Sequence, residues 1–277
     1  MIEYLVLAIA PGVFWLWFFW RKDKYEKEPL RLLLRTFLLG AAVVLPIAFI
    51  EELFVFGEGI VAMMMVGIFE ETAKFLPVYL YVYKRPEFNE VMDGIIYATA
   101  ASLGFASLEN LFYIYTFGPS VMVGRAIIST LGHVLFASFW GYSLGMKKIT
   151  GKNTVLVGLL FAMVAHGIFN TILMAPYWII NILVFPLMWF LYASMTGKIK
   201  RSLKLSPFRK ITRDVELRSP VQKSCPRCRT RLSTQARFCP QCGYSILPAT
   251  PSVHCSRCGS SLPPGSTFCP RCGDKIT

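Results

Sequence analysis

Three observations on this 277-residue chain predict an all-α polytopic membrane protein with about seven transmembrane helices and a small C-terminal cysteine-rich tail. Hydrophobic residues make up 55% and charged residues 16%, against about 45–50% and 25% for a soluble domain, and mean hydropathy is +0.51. The apolar residues concentrate in long runs between residues 2 and 196, each near the roughly 20 residues that a span requires. All eight cysteines lie after residue 224, in a polar and basic segment.

The spans are expected at Ile2–Trp20, Leu32–Ile50, Ile60–Tyr83, Asp93–Phe117, Met122–Met146, Val155–Met174 and Tyr177–Met195. The second contains Pro46, which a membrane helix tolerates. The first reads as a retained span and not a cleaved signal, because Glu3 stands where a basic leader belongs and the positive cluster follows the run. Between the sixth and seventh spans only Ala175–Pro176 remain, a very tight turn. Lys and Arg alternate between loops: Arg21, Lys22, Lys24, Lys27, Arg31 and Arg35 in the first, Lys84 and Arg85 in the third, Lys147, Lys148 and Lys152 in the fifth. The intervening loops are poor in base, and the fourth has only Arg125. The positive-inside rule then puts the N-terminus outside and the C-terminal tail in the cytosol. The formal net charge of +13 lies largely in these loops. It makes anionic lipid the first expected partner, with topology signalling the plainer explanation, and nucleic acid is not an expected partner.

Residues 197–224 read as a basic linker, irregular because of Pro207, Pro220 and several serines. The tail beyond it repeats. Cys225-Pro-Arg-Cys228 is followed after ten residues by Cys239-Pro-Gln-Cys242, and Cys255-Ser-Arg-Cys258 after ten by Cys269-Pro-Arg-Cys272. Two Cys-x-x-Cys hairpins bring four thiolates to a tetrahedral point, the arrangement of structural zinc. A unit of this size has no hydrophobic core, so the metal supplies its folding energy. The cytosolic location argues against disulfides. The pattern resembles the double zinc ribbon, with residues 225–242 and 255–272 as the two ribbons and two structural Zn2+ ions. Such ribbons imply a cytosolic protein partner without identifying it.

The membrane part, residues 1–196, carries costly polar residues. They are Glu70, Glu71 and Lys74 on the third span, Glu109 and Asn110 on the fourth, His133 on the fifth, and His166 and Asn170 on the sixth. Ionisable groups in spans are functional candidates. Counted from the outer ends, Glu70, Glu109, His133 and His166 all lie about 12–17 Å deep at 1.5 Å per residue. Four helices of alternating direction thus place ionisable groups in one layer. Glu70 with Lys74, and His166 with Asn170, are i and i+4 and share faces. Polar bonding between helices explains one such residue; a shared layer points to a reactive site. Glu51 and Glu52 are expected at a membrane edge, in water.

These segments resemble a known family. Glu70-Glu71-Thr72-Ala73-Lys74, Asp93-Gly94 through Gly104-Phe105-Ala106-Ser107-Leu108-Glu109-Asn110, His133, and His166-Gly-Ile-Phe-Asn170 are similar, in order, to the motifs of the PrsW intramembrane proteases. That family is in turn related to the type II CAAX prenyl endopeptidases. The resemblance implies peptide hydrolysis of a membrane-anchored protein substrate, with Glu70 and Glu71 and the histidines activating water. Two mechanisms fit. In one, placed first here, Glu70 is general base assisted by His133, while His166 and Asn170 stabilise the oxyanion. In the other, His133, His166 and a Glu hold a catalytic zinc with an open position. No His-Glu-x-x-His motif occurs. The rival class is non-enzymatic: a transporter or a scaffold with a partner-binding tail. Transporters commonly carry internal repeats, and the membrane part shows none.

Overall fold

The computed structural model describes residues 2–57, 59–209, 224–230, 232, 238–245, 253–262, 268–269 and 271–275. The chain divides into two compact units, residues 1–213 and 214–277.

The first unit is helical. Its elements are α1 (Ile2–Trp20), α2 (Leu30–Ala42), α3 (Val44–Phe54), α4 (Ile60–Pro77), α5 (Val91–Phe117), α6 (Met122–Gly124), α7 (Thr130–Thr150), α8 (Val155–Met174), α9 (Trp178–Asn181) and α10 (Val184–Leu205). Among the described residues, six stretches are long and apolar enough to cross a membrane. The seventh expected span, starting at Ile60, is missing from that set because Glu70, Glu71 and Lys74 interrupt it.

Local chemistry explains the breaks. The second span divides at Val43 into α2 and α3. Pro46 lacks an N–H and its ring clashes with the carbonyl four residues back, that of Ala42. α4 ends at Pro77 and runs on as a π-helical turn, Val78–Val82. The tight turn after α8 holds because the Asn181 side-chain amide donates to the carbonyls of Ile172, Leu173 and Ala175 at 2.7, 3.2 and 3.3 Å, satisfying the helix end. α10 runs on to Leu205, which corrects the expected linker: residues 197–205 are helical, and 210–223 lie outside the described residues.

α5 is the axis of the unit. It is buried along most of its length and packs against α7, α2 and α1. Gly141 and Gly145 pack helices within the chain: a Cβ on either would strike the backbone of Gly94 or Val91 on α5. Large apolar side chains such as Leu34, Leu38, Phe49, Leu156 and Trp189 face outward, as a lipid-facing surface requires. At its N-terminus Asp93 Oδ2 accepts the N–H groups of Asn89 (2.6 Å) and Glu90 (2.8 Å), capping α5. In the adjoining loop, burial and then the neighbouring Asp93 charge push the Asp23 carboxyl up to about 7.

The second unit holds the cysteines. Cys225 Sγ lies 3.5 Å from Cys242 Sγ, and Cys228 Sγ 3.4 Å from Cys239 Sγ. The other quartet has 3.7 and 3.6 Å for Cys255–Cys272 and Cys258–Cys269. All eight are free thiols. Sulfurs around a zinc at about 2.3 Å form a tetrahedron of edge roughly 3.8 Å, so both quartets fit the ion. After each second cysteine the chain turns left-handed: Gly243, Gly259 and Gly273 have φ of 68–70°, and Arg229 has φ 60°. The thrice-repeated glycine follows from that turn.

Candidate active site

Four helices meet at the charged layer. α4 and α8 touch through Gly67 and Gly167; a Cβ on Gly67 would lie 2.6 Å from the Met163 carbonyl oxygen and 2.8 Å from the Gly167 nitrogen. That close approach brings Glu70, Glu71 and Lys74 within reach of His166. α5 and α7, held together by their own glycines, contribute Glu109 and His133.

Lys74, Glu71 and Glu70 are buried. Lys74 Nζ donates to Glu70 Oε2 at 2.8 Å and to Glu71 Oε1 at 3.0 Å, and contacts His133 Nδ1 at 2.8 Å. An ammonium carries donors only, so Nδ1 of His133 accepts. The proton of His133 then sits on Nε2, which lies 2.9 Å from Glu109 Oε2. His166 Nδ1 lies 3.1 Å from Glu71 Oε1. A carboxylate accepts, so Nδ1 bears the proton and Nε2 is left with its lone pair, 3.8 Å from Glu70 Oε2. His133 Nδ1 is also 3.8 Å from Glu70 Oε2. Glu71 is completed by Trp140, whose Nε1–H donates to Oε2 at 3.1 Å. Phe136 stacks on the His166 ring, centroids 4.8 Å apart, and fixes its plane.

These groups border a cavity of about 430 Å3, lined by Glu51, Glu70, Glu109, Arg125, His133, His166 and Asn170 among apolar walls from Phe105, Phe112 and Phe169. Glu71 and Lys74 stand behind that lining and reach the cavity only through their neighbours. Asn110 departs further from expectation. Its amide donates to Thr130 Oγ1 at 3.1 Å and to the Ala8 carbonyl at 3.4 Å, and its oxygen accepts from Arg125 Nε at 2.8 Å. One helical step from Glu109, it faces α1 and α7 as a tie. Glu51 is a correction: α3 extends through it and turns it onto the cavity, whereas Glu52 is exposed as expected.

Arg125 was counted in the sequence as a loop base. It is buried, 8% exposed, on a π-helical turn, Arg125–Ser129, that precedes α7. Its Nη2 lies 3.0 Å from Glu109 Oε2, and its guanidinium carbon 3.7 Å from the centre of the Tyr113 ring. The signal available in the sequence was an arginine inside the otherwise uncharged stretch from Phe117 to Met146.

Glu70, His133 and His166 each offer a ligand atom within 4.8 Å of the others. One carboxylate and two imidazole nitrogens, each imidazole oriented by its own carboxylate (Glu109 and Glu71), is the donor set of a catalytic zinc with its outer shell. The residues therefore fit such an ion. The chain matches the family described as PrsW family intramembrane metalloprotease over residues 28–195, and that described as double zinc ribbon over residues 225–273. It is similar to Protease PrsW of Geobacillus kaustophilus, 36% identical over 184 residues, covering 63% of this chain and 81% of that protein. It is also similar to Protease PrsW of Bacillus subtilis, 32% identical over 215 residues with coverage of 74% and 99%, and of Clostridioides difficile, 34% over 204 residues with 66% and 84%. No solved structure matches the chain.

Proposed function

The chain belongs to the PrsW family of intramembrane metalloproteases, and from that premise we propose that Glu70, His133 and His166 form the reaction centre at which it hydrolyses its substrate. It is a multi-pass membrane peptidase acting on membrane-anchored protein. The observation that carries the assignment is that Glu70, His133 and His166 line one cavity with ligand atoms within 4.8 Å of one another, each ring having its other nitrogen beside a separate carboxylate, at 2.9 and 3.1 Å.

Glu70, His133 and His166 would hold a zinc ion, which would supply Lewis acidity and a more acidic water at neutral pH. The protein's own groups do the rest. Glu71 and Glu109 favour the tautomers that leave a lone pair on His166 Nε2 and on His133 Nδ1, the latter taken by Lys74 when no ion is bound. Arg125 holds Glu109 by a charge-assisted contact, Lys74 balances Glu70 and Glu71, and Trp140 pins Glu71. Asn170, beside His166 on the cavity wall, is placed to donate to a scissile carbonyl oxygen. The apolar walls exclude bulk water and strengthen each of these interactions. A second reading is favoured by Lys74 Nζ lying 2.8 Å from both Glu70 Oε2 and His133 Nδ1. There the ammonium is the resident cation, and Glu70 itself takes the proton from water as it attacks.

We further place the N-terminus outside, the tail in the cytosol and the cut in the outer half of the bilayer, on the loop distribution of Lys and Arg. Residues 1–196 act as the protease domain, 197–224 as a connection, and the ribbons 225–242 and 255–272 as a binding module for a cytosolic protein. The deciding experiment uses the full chain, purified and tested on membrane-anchored peptides beside Glu70→Gln. Loss of cleavage with an unchanged melting curve is expected; full activity removes Glu70 from the centre. Zinc analysis separates the two readings. Three zinc per wild-type chain and two in His166→Ala support the metal reading, and two in both, with chelator-resistant cleavage, support the other.

A further inference from the structure

A second group of acids meets at the N-terminal end of α5, about 24 Å along the helix from Glu109 at 1.5 Å per residue. Asp23, Glu26 and Glu28 come from the loop between α1 and α2, and Glu90 and Asp93 from the capping turn of α5. Oxygens of Asp23, Glu90 and Asp93 lie within 4.8 Å of one another, as do those of Glu26, Glu28 and Asp93, so Asp93 belongs to both triplets. Asp23, Glu28, Glu90 and Asp93 are at most 2% exposed.

The bonding leaves these acids short of partners. Both carboxylate oxygens of Asp23, a residue 1% exposed, are buried and accept no hydrogen bond of standard geometry. Asp93 uses Oδ2 to cap α5 and turns Oδ1, unbonded, to the cluster. Glu28 Oε2 accepts the Tyr97 hydroxyl, and Oε1 accepts nothing. Two cations lie nearby and neither forms an ion pair with them: Lys27 Nζ donates to the Trp20 and Asp23 backbone carbonyls and lies over the Trp20 ring, and Lys148 Nζ donates to the Tyr83 and Arg85 carbonyls.

Carboxylates of one sign, buried together without an ion pair, are strongly disfavoured. A hard divalent cation resolves the deficit. An ion with metal–oxygen distances of about 2.3–2.6 Å, as calcium has, spans oxygens up to about 5 Å apart and takes carboxylates directly. Zinc does not suit a set that contains no nitrogen or sulfur.

We propose that Asp23, Glu90 and Asp93, with Glu28 beside them, form a binding site for a calcium-type divalent cation, distinct from the catalytic cavity and from the ribbons. The bound ion ties the α1–α2 loop to the start of α5, the helix that carries Glu109.

The test uses the full-length protein in detergent with its zinc retained. Tb3+, an oxygen-seeking calcium probe, is added at pH 7.5, its emission excited through Trp20 and Tyr97, and then displaced with Ca2+. Expected is saturation at one equivalent, displacement by Ca2+, and at least tenfold weaker binding in Asp23→Asn and in Glu90→Gln. Glu70→Gln, in the cavity, keeps wild-type binding. Ca2+ is also expected to raise the melting temperature of the wild type and not of Asp23→Asn. Gel filtration checks folding, and if Asp23→Asn is misfolded, Glu90→Gln decides. Absence of saturable emission, meaning that protons alone neutralise the cluster, overturns the proposal. So does wild-type affinity in both variants.

Discussion

The contact between α4 and α8 invites a direct perturbation, Gly67→Ala. The new Cβ falls 2.6 Å from the Met163 oxygen and 2.8 Å from the Gly167 nitrogen, both backbone atoms that cannot rotate aside. Ordinary contact begins at 3.4 Å, so the helices must part by about 0.8 Å. Glu71 lies one turn along α4 from Gly67, and His166 adjoins Gly167 on α8. Their 3.1 Å hydrogen bond then opens toward about 3.9 Å, beyond bonding range. Overpacking costs about 1–3 kcal/mol of stability, and a misplacement of that size in a reaction centre costs on the order of 10²-fold in rate. Cleavage of a membrane-anchored peptide and thermal unfolding are measured on the same preparation. Gly197→Ala is the control. Gly197 lies on α10 with nothing within 4 Å of its added Cβ, so it is expected to keep its rate and gain about 1 kcal/mol. Wild-type rate and melting temperature in Gly67→Ala would refute the close-approach argument.

Other outcomes follow from the same contacts. Trp140→Phe removes the donor to Glu71 Oε2 and is expected to cost about 1.5–3 kcal/mol, the range for a bond to a charged group, read by thermal unfolding. Arg125→Lys keeps the charge but loses the simultaneous reach to Glu109 and Asn110; a 10–100-fold fall in kcat is expected, as for an outer-shell partner, with KM little changed. Stripping zinc from the tail unfolds the ribbons, seen as rapid proteolysis after residue 224, while helical circular dichroism from the membrane unit persists. Arg229→Gly relieves the one non-glycine left-handed turn among the described residues and is expected to stabilise the first ribbon by about 1 kcal/mol, measured as a higher chelator concentration for zinc loss.

The site was legible in part, and particular residues show why. Glu70, Lys74, His133 and His166 were visible because a charge in an apolar run is anomalous and its depth can be counted from the helix end. Asn110 was assigned to the same layer, yet one step of rotation, about 100°, turns it to Ala8 and Thr130. Glu51 and Arg125 were taken for edge and loop residues. A proline-induced break before α3 and a π turn before α7 change their phase, and an apolar window of the sequence does not register either one. Asp23 and Glu28 drew no reading from the sequence, since nothing local to them announces burial beside the start of α5.

The sequence by itself determined the helical class, the number of expected spans, the cysteine quartets and the level at which ionisable groups sit in lipid. These are local quantities: run length, spacing, and rise per residue. Only the tertiary structure decided which ionisable groups face one another, which face the cavity, and which act through a neighbour. Those outcomes depend on helix rotation and on glycine-permitted approaches between residues as distant as Glu71 and His166, set by packing that no single segment encodes.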